Sequence, residues 1–134
     1  MSFGDEFDKA LRENLAYAKN VRNTEVVALC TKIILDTPVL TGDLRGSWRS
    51  TTGVPSEDKE ARRDPTGALP IAELEAAVKQ WPDEGSLFMA NNLRHSEGVE
   101  FDSWSHKKPA GMVRVNIVGR EGFADLHTGT GRAE

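Results

Sequence analysis

The chain is poor in residues that would announce a special chemistry or a special environment. Its 134 residues include one cysteine, one tyrosine and three histidines. A lone Cys30 cannot close an internal disulfide, which excludes a disulfide scaffold, and its neighbours Val26, Val27, Ile33 and Ile34 mark it as a packed side chain. No run approaches the ~20 apolar residues that cross a bilayer. The opening Met1-Ser2-Phe3-Gly4-Asp5-Glu6 has neither the basic start nor the apolar stretch of a secretory leader. The expected compartment is a reducing cytosol or a particle assembled there, with no membrane partner. Basic excess is missing too: 17 Lys and Arg face 21 Asp and Glu, a formal net charge of −4 that gives nucleic acid no electrostatic grip. What is present suffices for one folded unit over 1–134. The hydrophobic share of 38% rises to about 46% once the 12 glycines are counted and the one tyrosine is left out, which is ordinary for a soluble domain.

Spacing along the chain gives the expected elements. Phe7, Leu11, Leu15 and Ala18, then Val26, Cys30 and Ile33, recur at four and three residues, the helical period, so 5–36 is a helical region. Arg22-Asn23-Thr24 marks where it kinks or splits. Thr37-Pro38 is a stop, because proline disfavours the α conformation in the residue before it, and Thr41-Gly42-Asp43 is a turn. Leu44 to Thr52 alternates as a strand: Leu44 and Trp48 share one face, while Arg45, Ser47 and Arg49 point the other way, toward solvent or a neighbouring subunit. Gly53–Ala68 is the most polar stretch and reads as a long charged loop (53–68), a length that is uncommon unless the loop has work to do. Pro70 to Trp81 is a second helix with Ile71, Leu74, Val78 and Trp81 on one stripe. Ser86–Asn91 is a short strand. Met112–Val118 alternates as Val113, Val115 and Ile117, a strand pattern, although Met112, Val115 and Gly119 would also line a helix. Residues 119–134 read as a flexible tail. The expected fold is α+β: a long N-terminal helix and a second shorter helix packed on a small, mainly antiparallel sheet over 44–118, with long polar loops.

Chemistry is thinly represented. His95, Glu97, Glu100, Asp102 and His106 supply the nitrogen and carboxylate donors that zinc or manganese takes, so a small metal-dependent hydrolase is the enzymatic alternative. Their spacing matches no established ligand motif, and such residues near a loop are more often surface. Nucleophilic catalysis lacks a Gly-x-Ser-x-Gly elbow, and Cys30 lies in an apolar stripe where a thiolate is disfavoured. Trp104, between Ser103 and Ser105, is the kind of exposed tryptophan that anchors a protein partner. No catalytic, cofactor-binding or metal-binding residue is assigned, and a non-enzyme is expected.

Two segments carry more information. Thr37-Pro38-Val39-Leu40-Thr41-Gly42-Asp43-Leu44-Arg45-Gly46-Ser47-Trp48 combines a helix stop, a turn and a following apolar pair. Phe88-Met89-Ala90-Asn91-Asn92, then Val99-Glu100, then Lys108-Pro109-Ala110-Gly111-Met112-Val113-Arg114 follow in order. Together they resemble the Thr-Pro-x-x-Thr-Gly-x-Leu-Arg-x-Ser-Trp and Pro-x-Gly-Met-Val signatures of the tail-completion, or head–tail joining, proteins of tailed double-stranded-DNA bacteriophages, over roughly residues 20–118. Two places depart from that family's pattern: Leu93-Arg94-His95-Ser96 stands where a Pro-Tyr-Ala-like step is usual, and Phe101-Asp102 where a glycine is usual. The resemblance implies that Thr37, Pro38, Thr41, Gly42, Leu44, Arg45, Trp48, Asn92, Glu100, Pro109, Gly111 and Met112 are structural, and that the segment after Gly111-Met112-Val113 can be helical. It further implies a virion protein of the phage neck, assembled in the host cytoplasm. Such a protein forms a homo-oligomeric ring, commonly a hexamer, that caps the tail tube and connects it to the head connector. Neighbouring neck and tail-tube proteins are its partners, and DNA passes through the lumen unbound. A tail terminator or minor tail protein is the near alternative. Arg49, Arg62, Arg63 and Trp104, with the charged loop, are the candidate assembly contacts.

Overall fold

The computed structural model describes residues 2–101, 107 and 111–117. The tail expected over 119–134 lies outside them, as do Asp102, Trp104, His106 and Pro109. Among the described residues the chain runs α1 (Phe3–Asp36), α2 (Asp43–Gly46), β1 (Arg49–Thr52), α3 (Ala68–Gln80), β2 (Leu87–Ala90), α4 (Ser96–Phe101) and α5 (Arg114–Ile117), an α+β arrangement.

Helix α1 begins on a capping box. The Ser2 hydroxyl accepts the Asp5 N–H, and the Asp5 carboxylate accepts the Ser2 N–H, with Asp5 and Glu6 placed where the helix dipole favours acid. The helix continues through Arg22-Asn23-Thr24 without a break. Asn and Thr are weak helix formers, but tertiary contacts hold this turn. The Arg22 guanidinium lies 3.6 Å from the Trp81 ring centroid and donates to the Pro82 carbonyl, while Lys19 pairs with Asp83 at 3.2 Å. At Thr37 the backbone turns extended ahead of Pro38, and α1 ends.

The core gathers Leu29, Ile33 and Ile34 of α1 with Leu44, Trp48, Leu74, Val78, Val99 and Met112. Helix α3 is the central element, in contact with α1, α2 and both strands. β1 and β2 pair antiparallel, with Arg49 opposite Ala90 and Thr52 opposite Leu87. No helix among the described residues is long and apolar enough to cross a membrane.

One strand expectation is corrected, and the segment left open between strand and helix is helical. The strand begins at Arg49 rather than Leu44, because residues 43–46 form a helical turn in which Gly46 N–H bonds the Gly42 carbonyl. Leu44 and Trp48 are four apart, a spacing that satisfies one face of a helical turn as well as one face of a strand. Residues 114–117 are a short helix rather than part of a 112–118 strand, with Asn116 and Ile117 N–H groups both bonding the Val113 carbonyl. Its buried residues are Asn116 and Ile117, with Met112 buried just before it, whereas Val115 is exposed, so neither pattern read from the sequence gave the right face.

Thr37 links the end of α1 to the following turn. It is fully buried; its hydroxyl donates to the Ile33 carbonyl and accepts the Trp48 indole N–H, both at 2.8 Å. Thr37→Val keeps the shape and removes both bonds, leaving a buried indole N–H without its acceptor. The expected cost is about 1–3 kcal/mol, read as a lower denaturant midpoint at unchanged slope. An unchanged midpoint would contradict this role.

Candidate functional site

The last turn of α1 has no basic residue of its own, so its terminal carbonyls need donors from elsewhere. Arg45 provides them. Its Nη2 donates to Leu35 O at 2.7 Å and Thr37 O at 2.8 Å, its Nε also reaches Thr37 O, and Nη1 donates to Pro65 O at 2.8 Å. One planar guanidinium thus caps the helix and fastens the end of the charged loop to it. Gly42 makes the approach possible: its φ is +94°, and a Cβ there would lie 2.5 Å from Pro65 N.

The charged loop is held to the body along its length. Arg62 donates to Gly46 O at 2.7 Å and Trp48 O at 2.8 Å and pairs with Glu73 at 3.1 Å, while its own N–H bonds the Ser47 hydroxyl. The other Glu73 oxygen accepts the Ser50 N–H, which ties α3 to β1. Arg49, with a side chain only 13% exposed, holds Glu60 O at 3.0 Å and Asp58 at 3.4 Å. Asn92 donates its amide to Ser56 O and Asp58 O, and the preceding Asn91 donates to Leu44 O. At the far end, Asp64 accepts the Thr66 hydroxyl at 2.6 Å and the Leu69 N–H at 2.7 Å, closing the start of α3.

Arg45 and Arg49 therefore do not project to solvent as a strand pattern would have them; both fold back onto their own chain. Of the candidate assembly contacts, Arg49 and Arg62 are engaged internally, and Arg63 remains 65% exposed while pairing with Asp43 at 3.0 Å. Trp104 lies outside the described residues.

Among the described residues Glu100 is the one buried carboxylate of the enzymatic alternative, and its oxygens are occupied. Oε2 accepts the N–H groups of Met112 at 2.7 Å and Val113 at 2.8 Å, and Oε1 accepts the Arg114 N–H at 2.8 Å and its Nε at 3.1 Å. Gly111, at φ +91°, passes so close that a Cβ would meet Glu100 O at 2.7 Å. The carboxylate caps α5, so Glu100, Gly111 and Met112 form one structural unit, a pairing across 12 residues that no local sequence rule predicts. His95 is exposed, and no group of three potential metal ligands occurs among the described residues.

Among the described residues two surfaces carry exposed apolar side chains. One is a groove of about 510 Å³ between the 38–44 turn and α4, walled by Val39, Leu44 and Val99 with His95 at its rim. Leu40 beside it is 97% exposed. The other is the N-terminal part of α1, where every residue from 2 to 18 is exposed.

Two carboxylates give the fold an acid dependence. Hydrogen bonding to Arg63 lowers the Asp43 pKa, and hydrogen bonds from the Thr66 hydroxyl and the Leu69 N–H lower that of Asp64. A carboxylate depressed on folding stabilises fully above its unfolded pKa near 4, and that contribution is lost as pH falls through the lower folded value. Unfolding free energy is expected to fall between pH 5 and pH 3. Asp64→Asn should be less stable at pH 5 and show a shallower decline; denaturant melts at both pH values check this. An unaltered pH slope would contradict it.

Comparison of the chain with protein-family models, with curated proteins and with solved structures gives no match.

Proposed function

We propose that the chain is a structural subunit of the neck of a tailed bacteriophage. In this reading it is a tail-completion, or head–tail joining, protein that forms a ring, most simply a hexamer, capping the tail tube and joining it to the head connector. The observation that carries the reading is how the segment Thr37–Trp48 is used. Its distinctive residues lock the end of one helix to a turn, a strand and a loop, as expected of a motif that specifies a fold rather than a reaction. Glu100, the best-placed carboxylate for catalysis, is committed to backbone N–H groups, which favours a structural role over a metal-dependent hydrolase.

A closed ring built from one kind of subunit needs two different complementary patches on each copy. The groove beside Leu40 and the loop face carrying Arg63 are the candidates, since Leu40 is 97% exposed and Arg63 keeps 65% of its side chain exposed while pairing with Asp43. The net charge of −4 suits a lumen through which DNA slides, because a subunit without basic excess neutralises few phosphates and retains little duplex. Neck and tail-tube proteins are the proposed neighbours, in particles assembled in the host cytoplasm.

Mass spectrometry of purified virions should find the protein in intact particles, and depleting it should give tails of normal length that fail to join heads. Overlong tails would instead assign it to tail termination, and absence from the particle would contradict a virion role altogether.

A further inference from the structure

The exposed part of α1 is an arm. The first half-buried residue is Lys19, so residues 3–18 extend about 24 Å beyond the body. A helix of that length is marginal in isolation, but this arm propagates from a helix already packed over its C-terminal half, and Ala10, Leu11, Arg12, Glu13, Ala16 and Ala18 are good helix formers. Its composition is not that of a solvated rod. Phe3, Phe7, Leu11 and Leu15 recur every four residues, and Phe3 is 83%, Phe7 58% and Leu15 61% exposed. Together they present on the order of 450 Å² of apolar side chain, comparable with the roughly 300–600 Å² of the largest patch on a typical monomer.

We propose that this stripe is covered by the same stripe of a second copy, the two arms crossing antiparallel. Three observations select that occupant. First, the stripe reads Phe-Phe-Leu-Leu, so reversing it sets Phe3 against Leu15 and Phe7 against Leu11 of the second copy. Each large ring then meets a smaller side chain, about a two-fold axis.

Second, the arm's charge is segregated. Asp5, Glu6 and Asp8 occupy its tip, and Lys9 and Arg12, against Glu13 alone, occupy the stretch behind. Antiparallel crossing lays the acidic tip of one arm along the basic stretch of the other, whereas parallel pairing stacks acid on acid. Asp8 and Arg12 lie on the row flanking the stripe. In this register Asp8 falls two residues, about 3 Å, from Arg12 of the second copy, and the same contact repeats across the axis.

Third, the area is sufficient. A stable interface takes about 800 Å² from each partner, and the stripe with its flanking stems and alanines provides surface of that order. Residues spaced by four form an inclined ridge, and two such ridges interdigitate at about −50°, so the arms cross rather than coil.

The pair belongs to the free chain and does not rest on the ring reading. Neighbouring subunits of a cyclic ring are not related by a two-fold axis, so in a ring the arms would part on closure.

Analytical ultracentrifugation of the full chain should give twice the chain mass of 14.7 kDa. Phe7→Asp should give the monomer, while Tyr17→Ser, on the opposite face of the same arm, should remain dimeric. A charge exchange covers the case in which Phe7→Asp disturbs the helix itself. Asp8→Arg or Arg12→Asp alone should weaken association at least several-fold, and the two combined in one chain should restore it. Register is read by oxidation in a Cys30→Ser background: Phe7→Cys mixed with Leu11→Cys should cross-link more efficiently than either alone. A monomer at every concentration, association that survives Phe7→Asp, a failed charge-exchange rescue or preferential Phe7→Cys homodimers would each overturn the proposal.

Discussion

A long helix must end somewhere, and where it ends its last carbonyls need donors. In this protein Thr37 meets Ile33 O and Ile34 O with its own N–H and hydroxyl, Arg45 meets Leu35 O and Thr37 O beyond them, and much of the structure follows from that shared cap. To reach Leu35 O and Thr37 O the guanidinium must come from a chain that has already reversed direction, so Pro38 stops the helix and Gly42 makes the turn. The same guanidinium holds Pro65 O and so fixes where the charged loop returns. Trp48, bonded to Thr37, packs the start of β1 onto the core. The carbonyls that Arg45 meets on α1 lie at the exposed or part-buried end of the helix, so the guanidinium replaces water with charge-assisted bonds and ties three segments of the chain together.

This makes the protein a body with strongly directed internal polar bonding and two surfaces that the bonding leaves aside. Arginines that would suit partner recognition, Arg45, Arg49 and Arg62, are turned onto carbonyls and carboxylates of their own chain. The loop they hold is polar in composition yet fastened along its length, so its charge reflects internal bonding and not only solvation. The N-terminal arm and the exposed Leu40 are the opposite case: apolar side chains turned outward and buried by nothing among the described residues. In a small domain that division separates the residues that specify the fold from those left for assembly.

Part of this was legible from sequence. The helical period over Phe7–Ile33 and over Ile71–Trp81 carried both long helices, because amphipathic spacing is repeated often enough there to be unambiguous. The Thr37-Pro38 stop and the Gly42 turn were legible because proline and glycine act through their own backbone geometry. Short elements were not. Leu44 and Trp48 fit a strand face or one helical turn equally well, and only the capping of α1 decides between them. Residues 112–117 alternate like a strand, but the Glu100 carboxylate supplies the acceptors that begin a helix, and that partner lies 12 residues away. Arg49 and Arg62 read as surface charges because sequence gives no sign of the carbonyls that meet them. The arm's stripe, by contrast, looked like core, since periodicity reports amphipathicity and not what covers the apolar face.

The central claim is that Thr37, Gly42, Arg45 and Trp48 specify the fold and do not themselves engage a partner. Equilibrium unfolding of Arg45→Met tests it most directly. If the guanidinium caps α1, the variant should lose at least about 1.5 kcal/mol of stability, and amides near Ile33–Thr37 should exchange faster. A variant that unfolds like the parent while failing to assemble would place Arg45 at an interface and contradict the account.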